Sequence, residues 1–143
     1  MRNKIQGMVV CFAVALFASA FCNSTAAAQQ VSVATGVYAE ADAQRGQAAY
    51  ASRCATCHGR ALISNNDAPS LVGEPFAIGW KGKTLAERFT IIKESMPPNN
   101  PGDLPDQFVI DVLAFILKSN GYAAGAQSLP SDPADLERFV IPR

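Results

Sequence analysis

The sequence predicts an all-α domain of three main helices joined by long loops. Three observations carry that expectation. Ala39, Ala43, Gly46 and Tyr50 recur at i, i+4, i+7 and i+11, one face of a helix. Thr84-Leu85-Ala86-Glu87 is a capping box that starts a second helix, and Pro97-Pro98 ends it. From Pro105 to Asn120 apolar residues wrap most of a helical circumference. No stretch reads as a strand, and the chain has no internal repeat or low-complexity tract.

Residues 1–28 read as a secretory signal peptide. Arg2 and Lys4 form the charged start, Ile5 to Phe21 is largely apolar, and Ala26-Ala27-Ala28 supplies small residues for a cut after Ala28. The alternative is an uncleaved membrane anchor, but the run is short for a span of ~20 residues. Lipid attachment at Cys22 is disfavoured by the bulky Phe21 before it. The expected location is therefore periplasmic.

Removing the segment changes the composition. The full chain carries twelve basic and twelve acidic residues; without Arg2 and Lys4 the balance is ten to twelve, a net charge of −2. Nucleic acid, which calls for a basic patch, is excluded as a partner. Cys54 and Cys57 become the only cysteines, His58 the only histidine and Met96 the only methionine.

Residues 29–39 are expected to be an extended, partly mobile leader. A helix follows from Glu40 to Arg53. Gly46 costs about 1 kcal/mol against alanine inside it, which makes sense if another helix crosses there. Ser64 to Ser70 is a polar, turn-rich loop containing Asn65, Asn66, Asp67 and Pro69, anchored by the apolar Leu71, Val72 and Phe76. The next helix runs from Leu85 to about Glu94, with Leu85, Phe89 and Ile92 on its apolar face. Met96 stands at its exit, before a stiff loop from Pro97 to Gly102. The last main helix runs from about Pro105 to Asn120, with Asp106 and Asp111 toward its N-terminal half and Gly121 as its stop. At about 15 residues it is too short to span a membrane unaided. A helical turn from Pro133 to Phe139 is expected in the tail, docked through Leu136, Phe139 and Val140.

The chemistry centres on Cys54-Ala55-Thr56-Cys57-His58. A Cys-x-x-Cys pair alone could be a disulfide, a thioredoxin-like redox pair or half of a zinc site. Thioredoxin chemistry expects a β-α setting, which is missing, and tetrahedral zinc needs about four ligands. His58 directly after Cys57 turns the motif into the attachment site of a c-type heme, with one heme c linked through both cysteines and His58 as proximal ligand. Met96 is the candidate distal ligand; a thioether favours ferrous iron and raises the reduction potential. The alternative is that Met96 fills the core, which leaves the iron open or bound by Lys93 or an asparagine. The Trp80 N–H needs an acceptor, either a heme propionate or a backbone carbonyl. Lys81, Lys83, Arg88 and Lys93 form a basic run, and Asp103, Asp106, Asp111, Asp132, Asp135 and Glu137 lie later. The surface is thus either dipolar, which would orient a redox partner, or an ordinary solvated one.

The order of these features resembles class I monohaem cytochromes c over about Glu40 to Gly125. The carrying residues are Gly46 and Tyr50, Cys54 to Gly59, Ala68-Pro69-Ser70-Leu71, Trp80, Ser95-Met96-Pro97-Pro98 and the final apolar helix. The resemblance implies the cytochrome c fold, with Gly46 and Tyr50 meeting the face that bears Phe115. It also implies a bond from His58 to the Pro69 carbonyl, and Met96 on the iron. More narrowly, Phe76 with Trp80 to Leu85, and Ala114 to Tyr122, are similar to cytochrome domains that accompany quinoprotein alcohol dehydrogenases. Ala123 departs from that pattern, where a proline is common, and the chain has no dehydrogenase domain of its own.

The expected function is electron transfer between redox partner proteins, a dehydrogenase as donor and an oxidase or another cytochrome as acceptor, with only transient or partner-mediated membrane contact. The chain offers no acid, base or nucleophile constellation for catalysis. The alternatives are an open-site heme with peroxidase or gas-binding activity, and a relay subunit of a larger enzyme.

Overall fold

The apolar stripes at positions 39–50, 85–92 and 105–120 become three long helices around one core. The computed structural model describes residues 29–64 and 68–143; the expected signal peptide, and Asn65, Asn66 and Asp67 of the polar loop, lie outside the described residues. In chain order the elements are β1 (Val31–Ser32), a 3-10 turn (Val33–Thr35), α1 (Glu40–Arg53), α2 (Ala55–His58), α3 (Gly73–Trp80), α4 (Leu85–Ser95), α5 (Asp106–Ser119), a 3-10 helix (Pro133–Arg138) and β2 (Phe139–Val140). The fold is all-α, of the cytochrome c type, with α1, α4 and α5 as its main helices. No helix among the described residues is long and apolar enough to cross a membrane.

The crossing of α1 and α5 is the tightest contact. A Cβ built on Gly46 would lie 1.9 Å from the Asp111 carbonyl oxygen and 2.9 Å from Phe115 Cβ. Only glycine lets the two backbones meet there. One turn along, the Tyr50 and Phe115 rings pack tilted at 50°, centroids 5.3 Å apart. Arg45 fastens the other side. Its Nε and one terminal nitrogen donate to the two Asp111 oxygens at 2.9 and 2.8 Å, and the same terminal nitrogen reaches Asp42 at 2.7 Å. Asp111 was expected as a surface charge favouring the helix N-terminus; instead it is buried, which is tolerable because it accepts from both Arg45 and Gln107.

Two segments depart from expectation. Gly73–Trp80 is a helix, where an apolar anchor in a loop was expected; Phe76 and Trp80, one turn apart, both point into the core. The leader does more than extend. Val33 and Tyr38 are fully buried, and β1 pairs in parallel with β2, Val31 opposite Phe139 and Ser32 opposite Val140. Tyr38 donates its hydroxyl to the Tyr122 carbonyl at 2.5 Å, and the Gly125 N–H donates to the Tyr38 carbonyl at 2.7 Å. Asp42 completes the join, accepting from the Ala39 N–H, the Ser128 hydroxyl and the Leu129 N–H at 3.0, 2.9 and 3.3 Å. The tail docks through Leu136 and Phe139 as expected, and through Ile141; Val140 is only half-buried.

Candidate heme-binding site

Helix α1 hands directly into the motif. The Cys54 N–H donates to the Tyr50 carbonyl and the His58 N–H to the Cys54 carbonyl, at 2.9 and 3.0 Å. The motif is therefore one further helical turn, α2, and Cys57 lies three positions, just under one turn, beyond Cys54. Cys54 is half-buried and Cys57 exposed, both as free thiols. Burial pushes the Cys54 thiol up to about 11.

Gly59 ends the turn in a conformation with φ +78°, and its carbonyl accepts the buried Tyr50 hydroxyl at 2.7 Å. The chain then doubles back. Leu62 is buried with φ +59°, and the Leu71 N–H donates to the Leu62 carbonyl at 2.8 Å. This closes the loop of residues 62–71 and brings the Pro69 carbonyl oxygen to 2.9 Å from His58 Nδ1. A carbonyl only accepts, so Nδ1 carries the proton and Nε2 keeps its lone pair free. That is the tautomer of a metal-ligating imidazole oriented by its other nitrogen.

Met96 is half-buried at the C-terminus of α4. The helix is built to end there. The Glu87 N–H donates to Thr84 Oγ1 at 3.1 Å, and Glu87 accepts the Thr84 N–H at 2.7 Å, so both halves of the capping box are made. After Met96 the loop is pinned: the Asn100 N–H donates to the Pro97 carbonyl at 2.9 Å and the Gly102 N–H to the Lys93 carbonyl at 3.0 Å. Lys93 donates to the Leu104 carbonyl at 2.5 Å and pairs with Asp106 at 2.7 Å. These two contacts tie Lys93 to the loop.

The residues fit a heme c. Two thiols flank one turn, an imidazole with a free Nε2 follows, and a neutral thioether ends a separate helix. Leu71, Val72 and Ile92 pack on the core while keeping part of their surface open, an apolar lining of the kind a porphyrin needs. Among the described residues no three or more His, Cys, Asp or Glu side chains gather to hold a bare metal ion.

Trp80 is 8% exposed and stacks on Phe76, centroids 5.1 Å apart. Its indole N–H is not among the buried donors left without a partner. Two of the four residues of the basic run are paired in place: Lys83 with Glu87 at 3.2 Å and Lys93 with Asp106. Sequence reading missed Arg88 as a site candidate; its guanidinium lies 5.6 Å from the Trp80 ring centroid, and its helical offset of eight from Met96 was the available signal.

Compared with known proteins, residues 41–116, just over half of the chain, match the family described as cytochrome c oxidase, cbb3-type, subunit III. No curated protein and no solved structure matches.

Proposed function

The chain belongs to the c-type cytochrome family of that description, and from that premise we propose that it is an exported single-heme carrier of electrons between redox proteins. The observation that carries the reading is the oriented His58 ring, its Nδ1 held 2.9 Å from the Pro69 carbonyl directly after the thiol pair. In this reading Cys54 and Cys57 form the two thioethers, His58 Nε2 is the proximal ligand, and Met96 is the distal one. Bound heme supplies a reversible one-electron couple. The protein's part is to hold two neutral ligands rigidly, exclude water through Leu71, Val72 and Ile92, and leave the Cys57 side exposed for a partner. No catalytic residue is assigned. The domain itself spans 40–125, with the 126–143 tail closed against it.

The test is the absorption spectrum of the purified holoprotein in both redox states, with Met96→Ala beside it. Six-coordinate low-spin iron with the weak red methionine-to-iron band supports the carrier. High-spin iron that takes up carbon monoxide in the wild type would favour the peroxidase or gas-binding alternative. A second reading, a relay subunit within a larger oxidase, draws support from the description of the matching family. Co-purification from the periplasm separates a free carrier from a bound subunit. A quinoprotein dehydrogenase remains the proposed donor on the motif similarity at Phe76, Trp80 and Ala114 to Tyr122.

A further inference from the structure

Strand β2 is bonded along both of its sides. On one side it pairs in parallel with β1. On the other it meets the entry of α4. The Gly82 N–H donates to the Ile141 carbonyl at 2.7 Å, the Ile141 N–H donates to the Lys83 carbonyl at 2.9 Å, and Thr84 bridges Val140 in antiparallel. Beside this ribbon the 3-10 helix of the tail packs on α4, with Leu136 and Ile141 fully buried. A side-chain bond completes the join. The Thr84 hydroxyl donates to Glu137 at 3.2 Å while it accepts the Glu87 N–H at 3.1 Å. Its proton is thus turned to Glu137, and a lone pair is left aimed at the first turn of the helix. The leader and the tail lie outside the matched residues 41–116, so this strap is no part of the matched domain.

Helix α4 carries this anchorage to the thioether. It has 11 residues, which makes a rod about 16 Å long. Met96 follows as its C-terminal cap, its N–H donating to the Ile92 carbonyl at 3.0 Å. A tilt of roughly 2° about the entry moves the exit by about 0.5 Å, the tolerance within which the groups of a site must be held. Among the described residues α4 packs chiefly on α5 and on the tail. The bonds beyond Met96, from Gly102 to Lys93 and from Lys93 to Asp106, fasten the exit loop and leave the entry to the tail. We propose that the tail is a strap that keeps the distal thioether on the iron, with Leu136 and Glu137 as positioning residues. This rests on the Met96 reading above. The two residues act through the tilt of α4, so slackening the strap lets Met96 leave the iron more often while the domain stays folded. Strand β1 belongs to the same device, because its pairing with β2 holds the strap closed.

The experiment uses full-length holoprotein: wild type, Glu137→Ala, Glu137→Gln and Leu136→Ala. Ala43→Gly, a buried position in α1, is the control that lowers stability away from the strap. Two quantities are read: the denaturation midpoint, and the rate at which excess imidazole displaces methionine from the ferric iron, followed by loss of the red band. At saturating imidazole that rate reports how often Met96 leaves. Glu137→Ala should raise it about fivefold, the loss of one hydrogen bond, and Leu136→Ala more than about tenfold, the loss of a buried side chain. Glu137→Gln keeps an acceptor for the Thr84 hydroxyl and should stay within about twofold of the wild type. Ala43→Gly should lower the midpoint and leave the rate within about twofold. If Leu136→Ala does not yield holoprotein, the two Glu137 variants decide. A Glu137→Ala rate equal to the wild type overturns the strap and leaves Met96 as the ligand. A rate raised as much by Ala43→Gly also overturns it, since displacement would then follow global stability. A wild type that lacks the methionine band removes the Met96 reading and this inference together.

Discussion

Replacing Gly46 with alanine adds one methyl group where two helix backbones touch. The new Cβ would stand 1.9 Å from the Asp111 carbonyl oxygen and 2.5 Å from its carbon. Ordinary non-bonded separation is about 3.5 Å, so the shortfall is roughly 1.5 Å, and both obstructing atoms are backbone. No side-chain rotation relieves it; α1 and α5 must part. Alanine gains about 1 kcal/mol in helix propensity. Overpacking costs ~1–3 kcal/mol where side chains can adjust, and a backbone obstacle puts this site at the top of that range. Parting the helices also stretches the 2.8 and 2.9 Å bonds from Arg45 to Asp111. The net expectation is a loss of about 2 kcal/mol or more, a fall in Tm of several degrees for a domain of this size. Equilibrium denaturation of the holoprotein reads it directly, with Gln47→Ala on the exposed face as the control within about 0.5 kcal/mol. If Gly46→Ala unfolds at the wild-type midpoint or above it, the helices are not in contact at Gly46 and the account of this crossing is wrong.

Three further outcomes follow from the same geometry. Met96→Ala should remove the red absorption band, let the reduced iron bind carbon monoxide and shift the redox equilibrium more than about tenfold toward ferric; an unchanged spectrum excludes the thioether as ligand. Burial pushes the Asp42 carboxyl up, but the donors of Ala39, Arg45 and Ser128 outweigh it and hold it below the usual carboxylate range. A carboxyl lowered by folding contributes stability above its unfolded pKa of about 3.9 and loses it as pH falls through the folded value. Asp42→Asn should therefore cost about 1–3 kcal/mol at pH 7, and its gap to wild type should shrink below pH 4 in urea titrations; a gap independent of pH counts against the network. Thr84→Ala removes the cap of α4 and the 3.2 Å contact to Glu137, so urea unfolding should report a loss of about 1 kcal/mol. A loss under a few tenths would mean that packing alone sets the start of this helix.

What could be read in advance was what local chemistry controls. The Thr84–Glu87 box announces its own hydrogen bonds, and α4 ends within a residue of the expected stop because prolines follow. Gly46 and Tyr50 mark a crossing because glycine in a helix face needs a reason. Helix α3 was missed because Leu71, Val72 and Phe76 read only as the anchor of a loop; Pro75 sits harmlessly in its first turn, and the four-residue step from Phe76 to Trp80 was the available guide. Asp42 and Asp111 were opaque for a different reason. Their partners lie at Ser128 and Arg45, up to 86 residues away, and no window of sequence holds both ends of such a bond. The buried leader was hidden likewise: the Val31-Ser32-Val33 alternation is very short, and the partner of Val31, Phe139, is in the tail.

The join between leader and tail bears on how the chain matures. Among the described residues helix α1 packs chiefly on α5, and β1 pairs with β2. These are contacts of high sequence separation, and loop-closure entropy delays them until both ends are present. A chain emerging from its N-terminal end exposes Cys54 and Cys57 long before residue 139 appears to close the structure over α1. In the order of synthesis, residues 54–57 therefore precede the α5 and β2 segments that complete the packing of α1 and β1.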